Sequence, residues 1–300
     1  MNQLRKPLNI TIGIIALLGF AIFSSSGFYI DWLWFKSVGF TSVWSTVLTT
    51  KITLFVVSGI LTSLFISANI FIAYRKRPLY VPMTIEADNL ERYRAQLEPI
   101  RRWVFLGIVA ALVYFGGSSG AVFWSTWLQF RNATPFGQTD PQFGLDISFF
   151  AFKLPMYQAL VAWGISTLVF AIIGSAVVHY LYGGIRPQVA QERTTVAARV
   201  QLSVLLGLVV LLKAGAYWLD RFALSLKDNR LITGLTYTDV NALLPAKAIL
   251  TGIAVICSLL FFANIVRKSW LLPAAGTALL VISSVLIAGI YPAAIQQFQV

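Results

Sequence analysis

Residues 248–268 read AILTGIAVICSLLFFANIVRK. Ala248 through Val266 carry no charge, and Arg267-Lys268 closes the run. A bilayer hydrocarbon core takes about 20 apolar residues of helix. In that medium the backbone must satisfy its own N–H and C=O groups, which a helix does within one segment. The stretch therefore reads as a transmembrane helix, and its pattern recurs along the chain. Similar runs predict helices over 8–30, 43–74, 103–124, 156–182, 200–219 and 270–290, which makes about seven. The expected fold class is all-α, a polytopic membrane bundle with its N-terminus inside and its C-terminus outside.

Composition points the same way. Of 300 residues, 58% are hydrophobic and 11% charged, with mean hydropathy +0.77. A soluble domain carries about 25% charged residues. Seven spans leave no length for a separate soluble domain, so residues 1–300 are read as a single transmembrane domain in the plasma membrane. A net charge of +12 would suggest nucleic acid in a soluble protein. Here no basic cluster sits in a soluble fold, so no nucleic-acid partner is expected. The charge is assigned to loop asymmetry and to anionic lipids at the inner basic loops.

The basic residues set the orientation. With the N-terminus in the cytoplasm, the inner segments hold Arg5, Lys6, Arg75, Lys76, Arg77, Arg92, Arg94, Arg101, Arg102, Arg186, Arg193, Arg199, Arg267 and Lys268. The outer segments hold Lys36, Arg131, Lys153, Arg221, Lys227, Arg230 and Lys247. The inward excess is two to one, as the positive-inside rule requires. Trp32, Trp34, Trp124 and Trp218 fall near predicted helix ends, where indole rings act as interfacial anchors. The first helix also has a signal-peptide reading, with Arg5-Lys6 before the apolar stretch and Ser24-Ser25-Ser26 after it. The aromatic belt from Phe28 to Phe35 favours a retained helix.

Three loops carry content. Between the second and third helices, Asp88 and Glu91 resemble a capping pair, and Leu90, Tyr93, Leu97 and Ile100 recur at helical spacing. Residues 84–102 are expected to form a cytoplasmic amphipathic helix, lying on the membrane surface, packed on the other inner loop, or docking a partner. The outer loops, about 129–150 and 220–247, mix turn formers with aromatic and apolar residues. The phenylalanines of the first are expected to tuck into the headgroup region or onto the helix ends, and the second is expected to fold down over the bundle.

Five segments resemble, in order, uncharacterised protein family 0182, a family of bacterial multi-pass membrane proteins. They are Asp31-Trp32-Leu33-Trp34-Phe35, Asp140 to Phe150 (DPQFGLDISFF), Ala216 to Arg221 (AYWLDR), Tyr237 to Lys247 (YTDVNALLPAK) and Tyr291 to Phe298 (YPAAIQQF). The resemblance covers essentially the whole chain. It implies about seven N-terminal helices followed by a large extracytoplasmic domain, and no biochemical activity. The chain's stop at Val300, soon after the last helix, is read as a domain boundary.

Candidate residues follow from cost. A lysine deep in a bilayer is expensive and often marks function, which singles out Lys213. It either snorkels, or pairs with an outer acid such as Asp220, or forms a polar spot that binds an anion or couples transport. Lys51 lies where its side-chain tilt helps it reach the interface. Asp140, Asp146 and Asp239 are candidate catalytic groups at the outer face, and turn formers otherwise. His179, the only histidine, and Cys257, the only cysteine, give no zinc signature. No metal site, phosphate loop or dinucleotide fingerprint is present, and no cofactor is expected. Gly116-Gly117-Ser118-Ser119-Gly120 is read as a close-packing stretch. The leading function is a non-catalytic membrane anchor or scaffold for an extracytoplasmic domain in cell-envelope work, with envelope proteins as possible partners. A transporter or channel around Lys213 and a membrane-embedded enzyme with an outward-facing site are the alternatives.

Overall fold

The computed structural model describes Thr11, Gly19 and residues 26–78, 85–187, 193–228, 234–267 and 271–299. Among them every regular element is helical, and isolated bridges join Thr139 to Asp146 and Ile185 to Thr194. The first described helix, α1, covers 26–37. It is followed by α2 (Thr41–Arg75), α3 (Ile85–Leu97), α4 (Arg101–Ala121), α5 (Trp124–Arg131), α6 (Leu154–Leu181), α7 (Val196–Ala223), α8 (Leu244–Arg267), α9 (Leu271–Val285) and α10 (Tyr291–Gln299). Among the described residues five stretches are long and apolar enough to cross a membrane: Thr41–Arg75, Glu98–Ala121, Phe149–Leu181, Val196–Leu226 and Asp239–Arg267. α9 is apolar but has only 15 residues before a π turn carries it into α10. The helix expected over 8–30 lies mostly outside the described residues. The stretch expected as one helix over 103–124 breaks at Val122-Phe123, and Trp124 opens α5. Gly116, Gly117 and Gly120 leave that last turn of α4 with poor helix propensity.

The chain divides into two compact units, Met1–Thr53 and Leu54–Val300. In the first, Gly39 at φ +79° turns the chain between α1 and α2. Phe28 meets Trp44 edge-on at 5.0 Å, and the Lys36 ammonium lies 4.9 Å from the Trp32 ring centroid.

In the second unit α7 is the most enclosed helix, with 39% of its apolar window buried, against 17% for the span containing α4. Such low burial leaves long apolar faces uncovered, as lipid-facing helices have and soluble core helices do not. Val210, Ala214 and Tyr217 of α7 pack on Leu250, Ala254, Cys257 and Phe261 of α8. Spacings of three and four put each set on one helix face. A second cluster joins Ile66 of α2, Leu168 and Ala171 of α6, and Leu205 of α7.

Small residues bring α2 and α4 together, as the glycine stretch predicts. A Cβ on Gly117 would sit 2.7 Å from the Phe55 carbonyl oxygen, and one on Gly59 would sit 2.6 Å from that of Val113. The Ser58 hydroxyl crosses the same seam to donate to the Gly116 carbonyl at 3.0 Å. Polar side chains tie other helices. Gln201 of α7 donates to the Asn69 carbonyl of α2 at 2.9 Å and to Ser175 of α6 at 3.3 Å. With its amide N–H groups committed to those acceptors, Gln201 turns Oε1 to His179 Nε2 at 2.9 Å. The Nε2 tautomer of His179 follows from that assignment. Asn264 of α8 donates to Ser203 of α7 at 2.7 Å.

Three helices begin with a π turn: Phe149–Lys153 before α6, Asp239–Leu243 before α8 and Leu286–Ile290 before α10. In each case a proline, Pro155, Pro245 or Pro292, is the second residue of the helix that follows. Proline has no N–H for the carbonyl four residues back, and its ring crowds that carbonyl. The carbonyl in question belongs to Ala151, Asn241 or Ala288, inside the widened turn in every case.

Candidate functional site

Contacts between helix ends gather the chemistry at two places in the second unit. One end brings together the N-terminal ends of α6 and α8, the C-terminal end of α7 and the long loops that hold the candidate acids. The other brings together the arginine-bearing ends of α2 and α4 with Arg94 of α3 and Tyr182 after α6.

At the loop end, Phe222 of α7 is the hub. Its ring lies 4.9 Å from Phe143, 5.3 Å from Phe149, 6.5 Å from Phe150 and 6.3 Å from Trp218, by centroids. Phe143 comes from the loop after α5, so this cluster clamps that loop to the bundle, as its aromatic content predicts. Aspartates build the loop itself. Asp146 accepts from the backbone N–H groups of Phe136 at 3.1 Å, Gly137 at 2.9 Å and Ser148 at 2.8 Å. The Ser148 side chain and these amides hold its carboxyl at about 2. Asp140 accepts from Gln142 and Phe143 N–H at 3.0 and 2.8 Å, an Asx turn. Gly137 and Gly144 take φ +74° and +64°, which only glycine adopts without strain.

Asp239 does the same work at the start of the α8 span. It is fully buried and accepts from Thr236 N at 2.9 Å, Thr236 Oγ1 at 2.7 Å and Lys227 Nζ at 3.0 Å. Its own N–H donates to Thr236 Oγ1 at 3.2 Å, so the pair forms a reciprocal helix cap.

Lys213 and Asp220 lie on one helix but do not meet. Asp220 takes Lys247 of α8 at 2.9 Å. The Lys213 ammonium lies 4.8 Å from the Tyr217 ring centroid, and Lys247 lies 5.5 Å from the same ring. Tyr217 is buried and its hydroxyl bonds Ser284 at 3.1 Å. Lys213 itself is on the exposed surface of α7, reaching one turn along the helix toward the loop end. Two ammoniums thus share one ring in a cation–π arrangement, and one of them, Lys247, also pairs with Asp220. Lys247 and Phe222 complete these clusters and were not singled out by sequence; only their place inside YTDVNALLPAK and beside AYWLDR marked the neighbourhood. Trp218 is half-exposed with Arg221 4.5 Å from its ring, Trp34 is exposed, Trp32 stands beside Tyr29 and Lys36, and Trp124 opens α5. Among the described residues no three acids, histidines or cysteines come together in a metal-holding group.

At the arginine end, Tyr74 of α2 and Tyr182 after α6 meet edge-on at 5.1 Å. Arg77, Arg94 and Arg101 surround them, and Arg101 Nη1 donates to the Tyr74 hydroxyl at 2.8 Å. Composition marks these arginines, but not their convergence.

Comparison with known proteins gives a family and no reaction. No solved structure matches. A protein from Streptomyces coelicolor is 48% identical over 98% of this chain, one from Nocardioides sp. 46% over 99%, and one from Thermobifida fusca 43% over all of it. Each bears only its family's name, and the chain spans about 30% of the length of these relatives. The model of the uncharacterised protein family UPF0182 matches residues 8–300, and the chain belongs to that family.

Proposed function

We propose that the chain is a multi-pass platform in a bacterial plasma membrane. About seven spans put the N-terminus and the arginine end at the cytoplasmic face, against anionic lipid. The loop end faces outward and holds an extracytoplasmic region in place for cell-envelope work. One observation carries this reading: the loop end is built to be rigid. Asp140 accepts two backbone N–H groups through Oδ1, Asp146 and Asp239 accept through both oxygens, and the Phe222 cluster pins the loop to the helices. A carboxyl held near pH 2 is a poor acid or base at neutral pH, which counts against an enzyme that uses Asp146. The length of the relatives, of which this chain covers about 30%, leaves ample chain for the held region.

The test uses the natural full-length protein in spheroplasts. Replacing Phe222 and Asp146 together by Ala is expected to speed protease cleavage of the region beyond the bundle. An unchanged cleavage pattern, with the protein still inserted, would remove the platform role.

A transporter centred on Lys213 is the second reading, favoured by one charge on an apolar helix that meets a ring rather than a carboxylate. Lys213→Met should then abolish flux and leave folding intact. The exposure of Lys213 on α7 supports snorkelling instead.

A further inference from the structure

The arginine end holds a cluster that platform building does not use. Its six members come from separate parts of the chain: Tyr74 near the end of α2 and Arg77 just after it, Arg94 on α3, Glu98 in the turn before α4, Arg101 at the start of α4, and Tyr182 after α6. The Arg77 guanidinium carbon lies 4.3 Å from the Tyr74 centroid and 5.5 Å from that of Tyr182. Arg94 lies 5.8 Å from the Tyr182 ring and Arg101 5.5 Å from the Tyr74 ring. Among these six residues one carboxylate, Glu98, stands with three guanidiniums, and it pairs with Arg101 at 2.6 Å. The patch is therefore doubly positive.

Its donors exceed its acceptors. Each guanidinium carries five N–H groups. Among the described residues, their hydrogen bonds run from Arg101 Nη1 to Tyr74 and Glu98, and from Arg94 Nε to the Leu90 carbonyl at 3.3 Å. Stacking on the tyrosines holds the forks in place in advance, which lowers the ordering cost of a ligand. Burial, then Tyr74 and Glu98, pushes the Tyr182 phenol up, so it stays a neutral donor. The depth is as telling as the chemistry. The cluster sits where the apolar stretches Thr41–Arg75 and Phe149–Leu181 end and Glu98–Ala121 begins. In the membrane placement proposed above, that is the level of lipid phosphates.

We infer that the Tyr74–Tyr182 arginine cage is a binding site for the phosphate of an anionic lipid headgroup. The inference rests on the membrane placement proposed above and makes the general attraction of the inner loops to anionic lipid into one defined site. Arginine pairs bind phosphate through parallel charge-assisted bonds, and a site of this kind fixes how deep the ends of α2, α4 and α6 sit.

The test is native mass spectrometry of the full-length protein released from nanodiscs of phosphatidylcholine mixed with phosphatidylglycerol. Retained phosphatidylglycerol is expected on the unaltered protein. Arg77→Gln with Arg101→Gln should cut it about ten-fold, the size of losing charge-assisted bonds. Arg92→Gln with Arg102→Gln removes the same charge beside the cage and should leave retention within about two-fold, as expected when those bonds stay intact. Equal loss in both pairs, or no loss in the first, would overturn the site. If the first pair does not stay monodisperse, Arg77→Lys with Arg101→Lys decides: it keeps the charge but loses the forks, so undiminished retention would overturn it. Inorganic phosphate, titrated into nanodiscs of phosphatidylcholine alone, is expected not to bind. Saturable binding there at the cage would make this a soluble-anion site and refute the lipid assignment. Loss of the protein from the membrane fraction would instead count against the membrane placement.

Discussion

At the residue scale, the polar side chains that matter are those whose partners come from other segments. Gln201 joins Asn69, Ser175 and His179 across α2, α6 and α7. Gln201→Leu would strand buried donors and acceptors at a cost of about 1–3 kcal/mol, read as a lower unfolding midpoint in detergent micelles. Asp146 gives a pH signature. Its carboxyl is held at about 2 by Ser148, Phe136 and Gly137, whereas an unfolded chain titrates near 4. The bonds therefore stabilise the loop fully above about pH 4, and that contribution is lost as pH falls from about 4 toward 2. Hydrogen exchange at the Phe136, Gly137 and Ser148 amides should accelerate over that window, and Asp146→Asn should abolish the window. Neither residue's role was legible in sequence. Asp146 could be read as a turn former or as an acid, and only its three backbone donors decide.

At the scale of elements, close approach and proline set the geometry. Gly117→Ala would drive a methyl group into the Phe55 carbonyl and ring. Backbone cannot swing aside as a side chain can, so the substitution should cost about 1–3 kcal/mol by overpacking, measured as loss of the folded fraction on titration with a harsher detergent. Gly215, whose Cβ would meet nothing nearby, is the control and should tolerate Ala. The role of the glycine stretch was readable from its sequence, because small residues in an apolar helix have few other uses. The π turns were not read from it. Their signal is present as a leucine or tyrosine before Pro155, Pro245 and Pro292, but a proline near a helix start ordinarily marks an unremarkable first turn.

At the scale of the molecule, the number of spans and their direction follow from helix length and charge. Five described helices qualify by length and hydropathy, and the seven-span reading adds the first helix and the α9–α10 run. A cysteine at Gln138 should react with an impermeant thiol reagent on intact cells, and one at Lys76 only after permeabilisation. The native Cys257 is buried and should stay silent. The reverse pattern would invert the orientation proposed here.

Sequence alone determined that this chain is helical and apolar enough for a membrane, where most helices lie, and which family it resembles. Those properties are carried by runs of about 20 residues and by charge counts, both local or additive. Tertiary structure decided which partner each polar group takes: Lys247 for Asp220, Lys227 for Asp239, Gln201 for His179, and three arginines for two tyrosines. In an apolar chain most side chains are interchangeable to a lipid. The few polar groups are directional, and the register in which the helices pack selects their partners.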